Sequence, residues 1–411
     1  MRGQMNEPRL PLSVWSLALA MGVGMSGATI AVRVGAEFGA VLSGTKALAT
    51  YPTGFQVIAV MFGGLIFSRL MAKFGRKPIL MVGLSFGVLS GSVGILAAFF
   101  QQYWILFPAH LCLGLYLSSI ALLRFTAADQ VTGALSANAL SLTLFGGVLA
   151  AFVGPGFVFA ANIISPAQYY GVSYGFIGLV ALIVWLLIYF TPIKKNSETL
   201  ESEQEIEIPQ YMTYNYIVGV ITGAVGYCVM ALLMTGAALH MQDMNLNDGA
   251  HAGHFGPNVR TFAIMWHVVA MFAPMLILPR IASFMGLKRL MVMGAALLVV
   301  ACGIGLLPSS PSQMFVALII LGFGWAATYG PGGIVVKQEV PDAARFAAQG
   351  RNEFTVSFFT GIGTIGAGPA LAYLGWEAMN LAALVLVIAL LPLLFFLRLS
   401  SGGGAIHVTK S

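Results

Sequence analysis

Charged residues are scarce in this chain. Only 8% of its 411 residues are Asp, Glu, Lys or Arg, whereas 58% are hydrophobic, and soluble domains carry about 25% charged residues. So few polar side chains cannot cover a water-facing surface of this size. The composition excludes a soluble globular domain and predicts an all-α membrane protein covered largely by the lipid bilayer.

Other absences narrow the function. The three cysteines, Cys112, Cys228 and Cys302, all lie in apolar runs, so we expect neither a disulfide nor a thiolate metal site. No Gly-Lys-Ser/Thr phosphate-binding motif is present, so ATP does not drive the protein directly. We expect no cofactor and no enzymatic activity. The net charge of +6 comes from Lys and Arg residues in short loops, which indicates membrane topology rather than a nucleic-acid partner.

Long apolar runs are abundant. A bilayer core needs roughly 20 apolar residues per helix, and the chain has twelve such spans. They lie near residues 11 to 33, 46 to 69, 78 to 100, 103 to 125, 135 to 161, 167 to 191, 213 to 239, 260 to 281, 288 to 308, 312 to 335, 353 to 373 and 377 to 398. We expect six-helix bundles at 1–191 and 213–398, a cytoplasmic linker at 192–212 and a cytoplasmic tail at 399–411.

The distribution of positive charge predicts the orientation. With the exceptions of Arg33, Lys46 and Arg260, the 20 Lys and Arg residues all fall on the side of the amino terminus. Positive charge is costly to translocate. The pattern therefore predicts that both termini are cytoplasmic, in the inner membrane of a bacterium.

A short basic turn occurs twice, about half a chain length apart. The first copy is Arg69–Pro78 and the second is Arg280–Arg289. Such an offset is what a duplicated bundle predicts. The identical positions are Arg69 with Arg280, Gly75 with Gly286, Lys77 with Lys288, and Gly83 with Gly294.

Twelve spans in two related halves, with this turn after the second span, resemble the major facilitator superfamily of secondary transporters. Ser68 and Ala72 replace the leading Gly and the Asp of that family's loop motif. In the family the Asp helps to latch the cytoplasmic ends of the halves, so here the latch must be weaker or built from other groups. The residues that match the motif are Lys73, Gly75, Arg76 and Lys77.

Four further stretches resemble a largely uncharacterised bacterial branch of the superfamily. Some relatives in this branch are linked to uptake of vitamin-like compounds such as riboflavin, and others to iron or siderophore handling. Drug–proton antiporters of the family place an Arg early in the fourth span, but Leu111–Tyr116 has none, which disfavours a drug exporter. The matching stretches are Lys46–Thr50, Arg124–Asp129, Trp266–Pro274 and Gly375–Asn380.

The resemblance implies alternating access to a site near mid-membrane, lined mainly by the first, fourth, seventh and tenth spans. Aromatic side chains with a few hydroxyls suit a planar or amphipathic organic solute better than a small ion. Each residue has packing as its alternative role. The candidates are Ser26, Thr29, Arg33, His110, Tyr116, Tyr227, Met230, Trp325 and Tyr329.

Ionisable residues at depth are few. Arg33 and Glu37 lie one helical turn apart; we expect Arg33 to reach the outer interface with Glu37 as its partner, and the alternative is an anchor for an anionic solute. His267 is the deepest titratable group away from the span ends, and it is the candidate for proton coupling, together with Glu37. A structural histidine is the alternative, and uniport stays open.

Charged residues at the cytoplasmic ends predict an inner gate whose ion pairs form and break during transport. The predicted gate consists of the four motif residues of the first turn, Gly286 of the second turn, and the charged residues Arg124, Asp129, Arg280, Lys288 and Glu353.

On the outer side, His240, His251 and His254 could bind a transition metal, although a solvated loop is the alternative.

The sequence thus predicts a monomeric secondary active transporter of a small organic solute, with a proton as possible co-substrate and uptake favoured. One alternative is a metal or metal-chelate (siderophore) transporter that uses the outer His loop. A drug or metabolite exporter is the second alternative.

Overall fold

The structure is a computed structural model that describes residues 10–131, 134–193, 212–247, 257–307, 310–340 and 345–398. Across these ranges most residues are helical and none lies in a strand. Among the described residues, twelve helices are long and apolar enough to cross a membrane. The chain is therefore a multi-pass membrane protein, and the predicted number of spans is confirmed.

The long helices are labelled α1 to α12. The first six are α1 (Leu12–Ser43), α2 (Tyr51–Phe74), α3 (Arg76–Phe100), α4 (Leu106–Ala128), α5 (Ala134–Ile164) and α6 (Tyr169–Phe190). The second six are α7 (Tyr214–Asn247), α8 (Pro257–Phe272), α9 (Leu287–Gly305), α10 (Pro311–Gln338), α11 (Arg345–Tyr373) and α12 (Gly375–Phe396). Short helical segments are Lys46–Ala49, Tyr103–Ile105, Pro166–Gln168, Ala273–Leu276 and Leu278–Met285.

Each set of six helices has its own hydrophobic core. The core of the first half includes Leu17 and Ile177. The larger core of the second half also takes in Ala36, Ala49 and Ala151 from the first half. Small residues let helix backbones approach closely. The predicted pair of six-helix bundles is confirmed, and the halves meet where their side chains are small.

The duplicated turn has the same structure in both halves. Gly75 (φ 87°) lies between α2 and α3, and Gly286 (φ 83°) lies just before α9; glycine adopts such positive φ values without strain. Lys77 Nζ donates a hydrogen bond of 2.7 Å to a backbone carbonyl at the end of α6. Lys288 Nζ donates one of 2.7 Å at the end of α12. A cation at a helix carboxyl end satisfies its free carbonyls, so each turn fastens the last helix of its own half.

The two ends of the bundle are distinguished by the residues that they carry. The turn face is the end that carries Gly75 and Gly286, and the opposite face is the end that carries Ser43 and Asp243.

The first, seventh, eighth and eleventh spans differ from the sequence-based bounds. The seventh continues to Asn247 and the eleventh begins at Arg345. The helix predicted to end near residue 33 continues to Ser43. Small residues such as Gly39 let this extension pack closely, since a Cβ added to Gly39 would clash with the Ala49 carbonyl oxygen. The eighth span is broken after Phe272 by a 3₁₀ turn. Pro274 lies in that turn and has no N–H to continue the α-helix.

Candidate functional site

A buried charge cluster joins the two halves near the opposite face. On α1, Arg33 Nη1 lies 2.5 Å from Glu37 Oε1, and on α8 Arg260 Nε lies 3.2 Å from the same oxygen. Arg33 Nε donates a hydrogen bond of 2.8 Å to Thr261 Oγ1. Arg33, Glu37 and Arg260 are 1%, 0% and 6% exposed. One carboxylate thus serves two guanidinium groups, one from each half.

The cluster confirms one sequence-based prediction about Arg33 and corrects another. Glu37 is its ion-pair partner, as the spacing of one turn predicts. The expected extension of Arg33 to the outer interface is wrong, since the side chain is buried. The reason is the length of α1, which continues to Ser43 and places Arg33 more than two turns inside the helix.

Thr50 of the first half forms hydrogen bonds to the backbone of α11 next to Pro369. Pro369 has no N–H, so the Ile365 carbonyl four residues earlier lacks its helical partner. Thr50 of the first half donates its hydroxyl to that carbonyl at 2.9 Å, and the Gly368 N–H donates to the same hydroxyl oxygen at 3.2 Å. One side chain thus satisfies a backbone group that the proline would otherwise leave unpaired.

A partly exposed ion pair lies at the rim of the opposite face. Lys46 Nζ is 2.8 Å from Asp243 Oδ2, with the side chains 38% and 32% exposed. Nearby, His240 stacks on Trp376 with ring centroids 5.0 Å apart. The other two histidines of the proposed metal loop, His251 and His254, lie outside the described residues. In the part of the chain that the structure describes, no group of three His, Cys, Asp or Glu side chains could hold a metal ion.

Four aromatic side chains of the second half form a contiguous group. Trp325 and Tyr329 on α10 stack with centroids 4.9 Å apart and planes at 14°. Tyr227 on α7 meets both rings edge-on, at 5.2 and 5.4 Å. Phe272, at the break in the eighth span, contacts Trp325 at 5.8 Å and packs against Gly147 of α5. The group therefore reaches the boundary with the first half.

This aromatic group contains three of the predicted solute-binding residues, and a polar atom lies within it. Trp325 Nε1 is buried and has no hydrogen-bond partner among the described residues. Met230, another candidate, is 2% exposed within the core of the same half. A planar face, edge-on rings and one available N–H donor suit an aromatic solute that carries hydrogen-bond acceptors.

The candidates from the first half do not join the aromatic group. The hydroxyl of Thr29 donates to the Ala150 carbonyl of α5 at 3.1 Å, and that of Tyr116 donates to the Gly24 carbonyl at 3.0 Å. Ser26 Oγ lies 3.4 Å from a carbonyl of its own helix. All three hydroxyls bond to backbone carbonyls inside the first bundle, and those of Thr29 and Tyr116 hold α1 against α5 and α4.

His110 lies in a buried polar chain that crosses three helices. Its Nδ1 is 2.9 Å from Gln56 Oε1 on α2, and its Nε2 is 2.7 Å from the Tyr174 hydroxyl on α6. An amide oxygen only accepts, so Nδ1 carries the proton and Nε2 accepts from Tyr174. Gln56 and Tyr174 were not predicted from sequence, because no local spacing connects residues on three separate helices.

Among the described residues, His267 has one hydrogen-bond partner. Its Nδ1 is 2.6 Å from the Leu318 carbonyl oxygen of α10, which only accepts, so Nδ1 is the protonated nitrogen. Its Nε2 is buried without a hydrogen-bond partner in the described part of the chain. The side chain is therefore held in place and has one lone pair available for a proton.

The turn face has weaker connections between the halves. Arg76 pairs with Asp129 inside the first half, so this ion pair does not connect the two halves. Arg124 Nη2 lies 3.9 Å from Glu353 Oε2 of α11, with side chains 20% and 47% exposed, and both interact electrostatically with Tyr329 of the aromatic group. Of the other predicted gate residues, Lys73 and Arg280 are exposed.

Two of three comparisons with known proteins identify similar proteins. No family model matches the chain. It is 29% identical over 394 residues to the riboflavin transporter RfnT of Brucella anthropi, across 95% of this chain and 96% of that protein. It is 24% identical over 393 residues to YdeG of Bacillus subtilis, named as an uncharacterized MFS-type transporter, across 91% and 89% of the two chains.

The solved structure of the nucleoside transporter NupG has the same fold. The TM-score is 0.71 at 13% sequence identity, over 93% of this chain and 98% of that one. At that identity the likeness establishes architecture and not substrate. The described residues include twelve helices long and apolar enough to cross a membrane. Together with curated relatives along nearly the whole length that are named as transporters, they make this chain a membrane transporter that is similar to those of the major facilitator superfamily.

Proposed function

We propose that the protein is a secondary active transporter that takes up a planar aromatic solute by alternating access, and that riboflavin or a close analogue is this solute. The observation that carries the proposal is the aromatic group of Tyr227, Phe272, Trp325 and Tyr329 at the boundary of the halves. The printed name of the relative RfnT points to the same solute class.

The chemistry of the aromatic group supports this choice. A flavin ring is flat and carries carbonyl oxygens and ring nitrogens at its edge, so it can stack on Trp325 or Tyr329 while the Trp325 N–H donates to an acceptor. Tyr329 also interacts with Arg124 and Glu353. A solute that displaces Tyr329 would therefore disturb the ion pair that joins the halves on the turn face, which couples binding to opening.

The distribution of charge and the closure of the opposite face support a proposed orientation and direction of transport. Positive charge concentrates in the loops of the turn face, which favours placing this face in the cytoplasm of a bacterial inner membrane, with both termini there. The tighter connections at the opposite face then correspond to a conformation closed to the outside. Release toward the cytoplasm from such a conformation is the last step of uptake.

Coupling to a proton is assigned to His267 and Glu37. His267 Nε2 is buried without a described partner, so a proton that reaches it needs no bond to be broken first. Glu37 lies between two arginines that belong to different halves. Replacing His267 by Ala should abolish the dependence of uptake on a proton gradient, and a dependence that survives the replacement would remove this assignment.

The proposal is tested by uptake of labelled riboflavin into liposomes that contain the purified protein. We expect accumulation above empty liposomes, and Trp325→Ala should raise KM about tenfold because a buried stacking contact is lost. Trp104→Ala is the matched control, since Trp104 is 71% exposed at the bundle surface. If riboflavin neither binds nor accumulates with correctly folded protein, the solute assignment is wrong, and ferric chelates and cationic drugs in the same assay test the alternatives.

A further inference from the structure

The charge cluster at the opposite face divides unequally when the halves separate. Arg33 and Glu37 are one turn apart on α1, so they move together, and their pair at 2.5 Å persists. Arg260 belongs to α8, so its 3.2 Å pair with Glu37 must break. Within the described cluster, the first half keeps a neutral pair, whereas the second half keeps one guanidinium without its carboxylate.

The position of Arg260 favours an anion there. It lies in the first turn of α8, whose N-terminal N–H groups and helix dipole also attract negative charge. In the closed state the residue is 6% exposed, and the next residue, Thr261, contributes the hydroxyl that meets Arg33. A guanidinium presents paired N–H donors that match a carboxylate or phosphate group.

We propose that the second half forms an anion-binding site at Arg260 when the opposite face opens, and that a carboxylate or phosphate group binds there in place of the Glu37 carboxylate. The inference rests on the alternating access proposed above. Because the anion and Glu37 compete for the same guanidinium, the anion binds the open state and not the closed one. It therefore shifts the population toward the open state.

The test measures the distance across the opposite face. Spin labels are placed at Val41 of α1 and Val259 of α8, which are both exposed, in a protein whose native cysteines are replaced by Ala. Distances are recorded in sodium chloride and then in sodium acetate or sodium phosphate at equal ionic strength. We expect the two oxyanions to raise the population with the longer distance several-fold.

Two substitutions locate the effect. Arg260→Gln should abolish the response of the distance populations to acetate and phosphate, because the guanidinium that would bind the anion is removed. Lys46→Gln removes the same charge at the same face and should keep the response. An equal loss in Lys46→Gln and Arg260→Gln would mean a diffuse surface potential, and the proposal would be overturned.

A final comparison separates a free anion from one that the solute carries. Flavin mononucleotide adds a phosphate to riboflavin. If the solute supplies the group, the mononucleotide should bind about tenfold tighter than riboflavin, and Arg260→Gln should remove the difference. If the medium supplies it, both flavins should bind alike and phosphate should still shift the distances.

The outcomes also separate this site from the transport proposal. A single distance under every condition would contradict alternating access itself. Two distance populations that acetate, phosphate and the mononucleotide all leave unchanged would contradict the anion site alone.

Discussion

The two faces of the bundle hold the halves together by different means. At the opposite face the described connections are the buried charge cluster around Glu37, the hydrogen bond from Thr50 to the Ile365 carbonyl, and the ion pair of Lys46 with Asp243. At the turn face, the ion pair that the structure describes between the halves is Arg124 with Glu353, at 3.9 Å and with Glu353 about half exposed.

This difference indicates which face costs more free energy to open. An exposed pair contributes about 0 to 1 kcal/mol, because water solvates its ions almost as well when they separate. Breaking a buried pair by removing one partner costs about 3 to 5 kcal/mol, because the remaining charge has no compensation. Opening the opposite face therefore requires solvation of the cluster by water or by an anion, whereas the turn face can open with little cost in ion pairing.

Glu37→Gln should change the stability of the closed opposite face more than substitution of Thr50 or Lys46. The amide has the same shape but leaves two guanidinium groups facing each other across the interface without a counter-charge. We expect the closed opposite face to lose about 3 kcal/mol, so the Val41–Val259 label pair should report mainly the longer distance. A population unchanged from the wild type would show that the cluster does not hold this face shut.

Thr50→Val should have the next largest effect. Valine keeps the shape of the side chain but leaves the Ile365 carbonyl unpaired, which costs about 1 to 2 kcal/mol of the closed state. Thr53→Val is the matched control, because the Thr53 hydroxyl bonds to a carbonyl of its own segment at 2.7 Å. Thr50→Ser should restore the closed population. The same label pair measures all three variants, and equal shifts in Thr50→Val and Thr53→Val would contradict a role for the bond between halves.

Lys46→Gln should have a smaller effect. The pair with Asp243 is about one third exposed on both sides, so its loss should shift the closed population by no more than about 1 kcal/mol. In the wild type, salt screens this pair, so moderate salt should reproduce much of the effect. A shift as large as that of Glu37→Gln would place the main closure at the rim and not in the buried cluster.

How far the sequence predicted this arrangement depends on the distance between the partners along the chain. The apolar spans, the repeated turn and the Arg33–Glu37 pair all follow from local periodicity or a fixed offset. Arg260 was interpreted only as one of three basic residues outside the cytoplasm, because its partner lies on another helix of the other half. The hydrogen bond of Thr50 was missed for the same reason: Pro369 indicates a free carbonyl at Ile365, but not which side chain meets it.

Arg124→Gln should have the smallest effect on the distances between the halves. Its contact with Glu353 is long and partly solvated, so the closed population of the turn face should change by only a few tenths of a kcal/mol, measured with a label pair on that face. The effect on solute affinity should be larger than the effect on distance, because Arg124 interacts with Tyr329 of the aromatic group. A change in riboflavin KM without a change in distance would place Arg124 with the binding site. A large change in distance would show instead that the turn face is held as firmly as the opposite face. That result would contradict the difference between the two faces inferred above.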